Sequence, residues 1–212
     1  MGWCSIKILG VVEVTRFVND LMSSNCYVIH DSLCSDCVIV DPGSKNSESE
    51  ISLCNKLRIY PRYIILTHEH TDHTWGANAL VDRYDSKVIC SQQCKDRLGK
   101  EGQSYFLFYY NDPNYSYNVK RVDITVGSGD IIWNSISIKF LYTPGHSIGS
   151  MCFFVGDNLF TGDTLMQCET TVDKKRCSDE IYRESLKTLN REISMRSSVI
   201  VYPGHGDMYY IK

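Results

Sequence analysis

Six histidines occur in this 212-residue chain, and five of them fall just past short apolar runs, in polar or glycine-bearing turns. Three share one hexapeptide, His68-Glu-His-Thr-Asp-His73, which follows the apolar run Tyr63-Ile-Ile-Leu66. In extended backbone the side chains at 68 and 70 point to one side, so their imidazoles can grip one ion together. If the chain then turns into a helix, Asp72 and His73 can face a second ion close by. Imidazole and carboxylate donors suit zinc and equally iron or manganese. A chain that uses these residues together must bring several strand ends to one place.

Three later segments have the same form: Tyr142-Thr-Pro-Gly-His146, Phe160-Thr-Gly-Asp163 and Tyr202-Pro-Gly-His205. Each sets a ligand-type side chain just past a strand-like run, beside a glycine that permits a tight turn. Two sites of four or five ligands need about seven donors. His68, His70, Asp72, His73, His146, Asp163 and His205 supply them. A lone histidine in such a place is ordinarily a surface residue; the joint occurrence of all these elements is not ordinary. His30 has no such context and reads as structural or exposed. Glu69 alternates with two donors and should point away from them, so it is not assigned as a catalytic base.

The rest of the chain reads as strands with helices between them. Ile6 to Val14, Cys26–Ile29, Cys37–Asp41, Tyr63–Leu66 and Lys87–Cys90 are strand-like in the first half. Ile131–Trp133, Ile136–Tyr142, Met151–Val155, Asn158–Phe160 and Val199–Tyr202 are strand-like in the second. Helices are expected over 48–57, 75–84, 91–99 and 179–193, the last with Tyr182, Leu186, Leu189 and Ile193 on one face and Ser178 as N-cap. This pattern predicts an α/β (α+β) domain of packed sheets covered by helices, with residues 1–212 as one domain. A net charge of −3 lacks the basic footprint of a nucleic-acid binder. No apolar run of about 18 residues exists, and the start does not read as a secretion signal, so a cytoplasmic protein away from membranes is expected. The ten cysteines are irregularly spaced and read as reduced thiols. Cys34-Ser-Asp-Cys37 reads as a hairpin turn, and Lys174-Lys-Arg176 as a solvated turn.

At these residues the sequence resembles the metallo-beta-lactamase superfamily of hydrolases. Its HxHxDH motif is matched by His68–His73, and its later motifs by Thr143-Pro-Gly-His146, Thr161-Gly-Asp163 and Pro203-Gly-His205. Val40-Asp-Pro-Gly43 resembles the early Asp motif, whose carboxylate supports the metal loops without binding metal. The match runs from about residue 25 to 206. The resemblance implies a four-layer αββα sandwich with two divalent metal ions at one edge, zinc first, with iron or manganese as alternatives. It implies that His68, His70 and His146 hold the first ion, that Asp72, His73 and His205 hold the second, and that Asp163 bridges them. Asp41 would support the loops. A metal-bridging hydroxide would be the nucleophile, with Asp72 as the residue that holds or accepts its proton.

Within the superfamily, His at position 70 differs from the Glu usual in flavodiiron proteins, and Asp163 from the Cys usual in antibiotic-hydrolysing lactamases. The large inserted domain of the ribonuclease branch does not fit in this length. The compact branch resembling glyoxalase II (hydroxyacylglutathione hydrolase) remains. Two of its features are not expected here: the Gly-Arg-x-Asp element, in whose place stands Thr164-Leu-Met-Gln-Cys-Glu-Thr-Thr-Val-Asp173, and the helical domain of full-length glyoxalase II. The expected substrate is therefore a small ester, thioester or lactone. The alternatives are a mononuclear iron persulfide dioxygenase and a non-catalytic metal-binding protein of the same fold. Residues 104–117 carry a heavy aromatic load that suits a pocket wall, a homodimer interface or plain packing. On the pocket reading Tyr105, Tyr109 and Tyr110 contact substrate. Cys168 reads as a structural thiol more readily than as a site residue.

Overall fold

The structure is a computed structural model that describes residues 12–99 and 117–212. Two six-stranded sheets form its centre. The first runs in sequence order: β1 (Val12–Val18), β2 (Asn25–Asp31), β3 (Asp36–Val40), β4 (Tyr60–Ile65), β5 (Lys87–Ser91) and β6 (Ile124–Val126). The second comprises β7 (Gly129–Trp133), β8 (Ile136–Tyr142), β9 (Met151–Val155), β10 (Asn158–Gly162), β11 (Val199–Pro203) and β12 (Tyr209–Ile211), again in sequence order. The β3–β4, β4–β5, β5–β6 and β10–β11 pairs are parallel and the others antiparallel. The parallel pairs need crossovers, and the sequence provides helices for them. α1 (Glu48–Leu57) joins β3 to β4, and α2 (Thr71–Thr74) with α3 (Ala77–Tyr84) joins β4 to β5. α4 (Gln92–Arg97) follows β5, and α5 (Asp179–Ser194) joins β10 to β11.

The central strands are apolar at nearly every position because both faces of each sheet are covered. Alternate residues go to different layers. Tyr27, Ile29, Val38, Val40, Tyr63 and Ile65 face the second sheet, where they meet Trp133, Phe140, Phe153, Phe160 and Tyr202. Their neighbours Cys26, Val28, Cys37, Ile39 and Ile64 face outward onto Cys54 of α1, Leu80 and Val81 of α3 and Cys94 of α4. On the far side Cys152, Phe154, Leu159 and Val201 pack under Leu189 and Ile193 of α5. These four layers are the αββα sandwich. The nine described cysteines are all free, and five of them sit in the layer between the first sheet and its helices. There thiols act as small apolar side chains.

Most expected elements lie where the pattern put them, including the α1 limits and the Ser178 cap, whose Oγ accepts Ile181 N at 3.2 Å. The helix expected over 75–84 begins at Ala77 instead. Gly76 N donates to Pro42 O at 2.7 Å rather than into a helix that continues from α2, and this interrupts the ladder. β6 and β12 are three-residue edge strands too short to give a period. The first strand begins its described part at Val12; residues 6–11 of that expectation lie outside the described residues. No described helix is long and apolar enough to cross a membrane.

The sheets are locked together by aromatic rings beneath the β10 and β11 ends. Phe160 stacks between Phe153 and Tyr202 at 4.8 Å to each, and Tyr27 of the first sheet meets Phe160 and Tyr202 edge-on at 5.6 and 5.4 Å. Phe160→Ala should therefore lower the unfolding free energy by about 3–5 kcal/mol through lost burial and the cavity left behind. Exposed Ile132→Ala should stay within about 0.5 kcal/mol. Urea denaturation of the two variants checks both values.

Candidate metal centre

Strand direction decides where the chemistry gathers. Asp41 follows β3, the hexapeptide follows β4, His146 follows β8, Asp163 follows β10 and His205 follows β11. These strand ends meet at one edge of the sandwich, between the sheets. All seven sequence-selected donors come together there. His68 and His70 lie in the bend after β4 with ring centroids 4.6 Å apart, and Asp72 and His73 lie in the single turn of α2. Glu69 points the other way, as alternation requires.

Two groups of donors meet at Asp163. In one, His70 Nδ1 lies 3.0 Å from His68 Nε2 and 3.1 Å from His146 Nε2. In the other, Asp72 Oδ2 lies 3.4 Å from His73 Nε2 and 3.4 Å from His205 Nε2. Asp163 reaches both groups: its Oδ2 is 3.4 Å from His146 Nε2 and 3.5 Å from His205 Nε2, and its Oδ1 is 3.6 Å from His73 Nε2. Gly204 closes the floor. A Cβ there would lie 2.0 Å from Asp163 Oδ1, so no side chain fits.

The outer nitrogens of three imidazoles are already engaged, and this fixes which nitrogen faces inward. Asp41 is buried at a positive φ of 50°, which aims its carboxylate back under the hexapeptide. Its Oδ1 accepts Thr67 N at 2.8 Å, and its Oδ2 accepts Thr67 Oγ1 at 2.7 Å and His73 Nδ1 at 3.0 Å. The Thr67 hydroxyl has spent its proton on Asp41, so at 3.0 Å it accepts from His68 Nδ1. His146 Nδ1 donates to Thr171 O at 3.0 Å. His68, His73 and His146 therefore all turn Nε2 to the centre. Asp41, His68 and His73 are also close enough to form a metal-sized cluster of their own, but the Asp41 oxygens are used by these donors on the Nδ1 side. The cluster is better explained as a hydrogen-bonded support.

Electrostatics divides the centre into two lobes. Burial holds His68, His70 and His146 below the ordinary imidazole range, His70 at about 4, so all three are neutral near pH 7. Burial also pushes His73 down, but the carboxylates of Asp72, Asp163 and Asp41 outweigh it and hold His73 well above that range. For His205, Asp163 and Asp72 outweigh burial in the same way and raise it to about 9. Burial opposes ionisation of the two carboxylates, yet His73 and His205 draw Asp72 well below the usual range and Asp163 to about 2. His73 Nε2 and Asp163 Oδ1 are buried without a hydrogen-bond partner. Two ionised carboxylates, inward lone pairs and two orphaned buried atoms are what a divalent cation would answer. The residues fit a metal site.

Several contributors were not legible as motifs. Asn19 donates Nδ2 to Ser24 Oγ at 2.9 Å and to Asp41 O at 3.2 Å, and its Oδ1 accepts Gly43 N and Ser44 N, both at 3.0 Å. It holds the Asp41 turn in place. Buried Glu69 accepts Arg97 Nε at 2.8 Å and Ser147 Oγ at 2.9 Å, which ties α4 to the turn that carries His146. His30 lies on β2 outside the centre, 3.9 Å from Glu13. Cys168 is exposed, and Lys174 and Arg176 are exposed and paired with Asp179 and Asp173. Tyr105, Tyr109 and Tyr110 lie outside the described residues.

The metallo-beta-lactamase superfamily model matches residues 19–205. The chain belongs to this superfamily. It is 28% identical to an uncharacterized protein of Mycobacterium leprae over 92% of this chain and 91% of that one. It is 26% identical to the probable polyketide biosynthesis zinc-dependent hydrolase PksB of Bacillus subtilis, covering 85% and 72%. It is 25% identical to a hydroxyacylglutathione hydrolase of Pelagibacter ubique, covering 92% and 70%. Among solved structures, the BLEG-1 B3 metallo-beta-lactamase superposes with a TM-score of 0.80 at 23% identity, covering 93% of this chain and 94% of that one. The TTHA1623 protein in a di-iron-bound form gives 0.73 at 23% identity, covering 92% and 93%. At these identities the two structures establish the superfamily fold.

Replacing Asp41 with Asn would swap one acceptor oxygen for a donor facing Thr67 and His73. In metal-free protein Asp41→Asn should lower the unfolding free energy by about 1–3 kcal/mol, the cost of buried groups left unpaired. Urea denaturation in the presence of a chelator measures it.

Proposed function

We propose that this chain is a dinuclear metal-dependent hydrolase of a small ester, thioester or lactone, of the glyoxalase II-like kind. The observation that carries the reading is the completeness of both donor trios around the shared Asp163. His68, His70 and His146 would hold one ion, Asp72, His73 and His205 the other, and Asp163 both; Asp41 would support the loops without binding. When bound, a divalent pair supplies a Lewis acid for the scissile carbonyl and makes a water acidic enough to attack near neutral pH. Zinc is the first choice, and iron or manganese suit the same donors. The hydrolase names of the Bacillus and Pelagibacter relatives, one of them zinc-dependent, support hydrolysis and zinc.

The chain's own residues would do the rest. Asp72 is ionised and its Oδ2 lies between His73 and His205, so its carboxylate would hold the attacking water in place and take up its proton only as a weak base. Thr67, Asp41 and Thr171 would keep the imidazoles from turning. The His205 side chain is 26% exposed, whereas His73 is fully buried. A substrate would therefore approach past His205, with His73 on the closed side.

A persulfide dioxygenase would need one facial set of two histidines and a carboxylate, such as His68, His146 and Asp163. The complete second trio favours the hydrolase. The expected outcome is two metal ions per chain after growth in defined medium, with equal turnover under nitrogen and under air. Asp163→Ala should lower bound metal and hydrolysis together, and His30→Ala should leave both unchanged. One iron per chain, with oxygen consumed in proportion to a persulfide, would sink the proposal.

A further inference from the structure

His205 belongs to the second sheet, whereas Asp72 and His73 follow a strand of the first. Something must hold the two sheet edges in register, because His205 Nε2 and Asp72 Oδ2 sit only 3.4 Å apart. The turn that carries His205 is gripped from the first sheet at three carbonyls. Asn25 Nδ2 donates to Pro203 O at 2.9 Å and to Gly206 O at 2.8 Å, and Asn25 N donates to Gly204 O at 2.6 Å. Both side-chain hydrogens of that amide are used, on carbonyls to either side of His205. Tyr27 Oη adds a second donor to Pro203 O at 2.6 Å, and Arg16 Nη1 a second to Gly206 O at 3.0 Å. Asn25 is 1% exposed and Pro203 and Gly204 are buried, so the bonds to those two carbonyls are made away from water, where losing them leaves carbonyls unpaired, whereas Gly206 lies exposed.

The preceding residue grips the other side of the same trio. Ser24 Oγ donates to Asp72 O, and the Ser24 backbone forms an isolated bridge with His205. One dipeptide at the start of β2 thus holds the backbone of Asp72 and the turn of His205 at once. The imidazoles of the other trio have different outer partners: Thr67 for His68 and Thr171 for His146.

We infer that Asn25 is the positioning residue that fixes His205 against Asp72, and that it thereby sets the affinity for the second ion while leaving the first nearly untouched. This rests on the ligand assignment proposed above. Asn25 touches no reacting atom. It acts through the 203–206 turn.

The test is zinc titration of the full chain against a chromophoric chelator, with thermal melting of each metal-free variant alongside. The wild type is expected to bind two ions in resolvable steps, and His205→Ala to lose one of them. Asn25→Ala should weaken that same step by about tenfold to a hundredfold, the usual effect of a partner one shell out from a metal ligand. The other step should be unchanged. Asn25→Asp keeps the shape without the two donated hydrogens and should behave alike. Tyr27→Phe keeps the ring in the aromatic stack and should give a smaller loss at the same step, so the inference stays open to refutation if Asn25→Ala fails to fold. Wild-type affinity at both steps in the Asn25 variants would overturn the inference alone, provided His205→Ala still loses an ion. Equal weakening of both steps in line with a lowered melting temperature would also overturn it, because the role would then be structural only. Retention of both ions in His205→Ala, or a single ion in the wild type, would overturn the ligand assignment and this inference with it.

Discussion

One buried carboxylate holds the centre in order. Asp41 takes a backbone N–H and a hydroxyl from Thr67 and a ring N–H from His73, and through Thr67 it also sets His68. An imidazole has two nitrogens, and only one can face a cation. By occupying the outer nitrogen of His73 directly and that of His68 through a hydroxyl, a single side chain decides which nitrogen of each faces inward. The strained positive φ at Asp41 follows from this task. The carboxylate must turn back under the β4 loop, and the Asn19 side chain holds the turn that makes it do so.

Charge separation within the centre comes from the same placement. Burial keeps His68, His70 and His146 neutral, although His146 Nε2 lies 3.4 Å from Asp163, whereas His73 and His205, each beside both Asp72 and Asp163, are pulled the other way. A buried cluster carrying two ionised carboxylates is costly by itself. His73 and His205 offset that cost, and beneath the site lie the stacked rings of Phe153, Phe160 and Tyr202, with Tyr27 crossing from the other sheet. Tyr27 does two things, packing its ring in that stack and donating its hydroxyl to Pro203. The hydrophobic core and the metal turns are therefore not separate parts of the molecule.

Glu69 illustrates how a residue inside a motif can serve outside it. Alternation turns it away from the donors, where its carboxylate is buried against Arg97 and Ser147. That pair fastens the turn of His146 to the first sheet, much as Asn25 fastens the turn of His205. Two of the three donors that arrive from the second sheet, His146 and His205, thus have a tether to the first.

The sequence by itself determined the layers and the donors. Apolar runs separated by helical segments required sheets covered by helices, and the two-residue spacing of His68 and His70 required one shared side. The three later Gly-turn motifs could be read because a tight turn after a strand needs local chemistry that leaves a local mark. What only the tertiary structure decided is how those turns are held against one another. Asn19, Ser24, Asn25, Thr67 and Thr171 carry no motif of their own. Their partners for the most part lie 22 to 181 positions away along the chain. The edge strands β6 and β12 escaped for a related reason: three residues show no period, and they exist because a longer neighbour offers them a ladder. A pattern of local turns can name the ligands. Their relative placement is set by hydrogen bonds between two sheets, and no spacing in a linear chain encodes which sheet edge will face which.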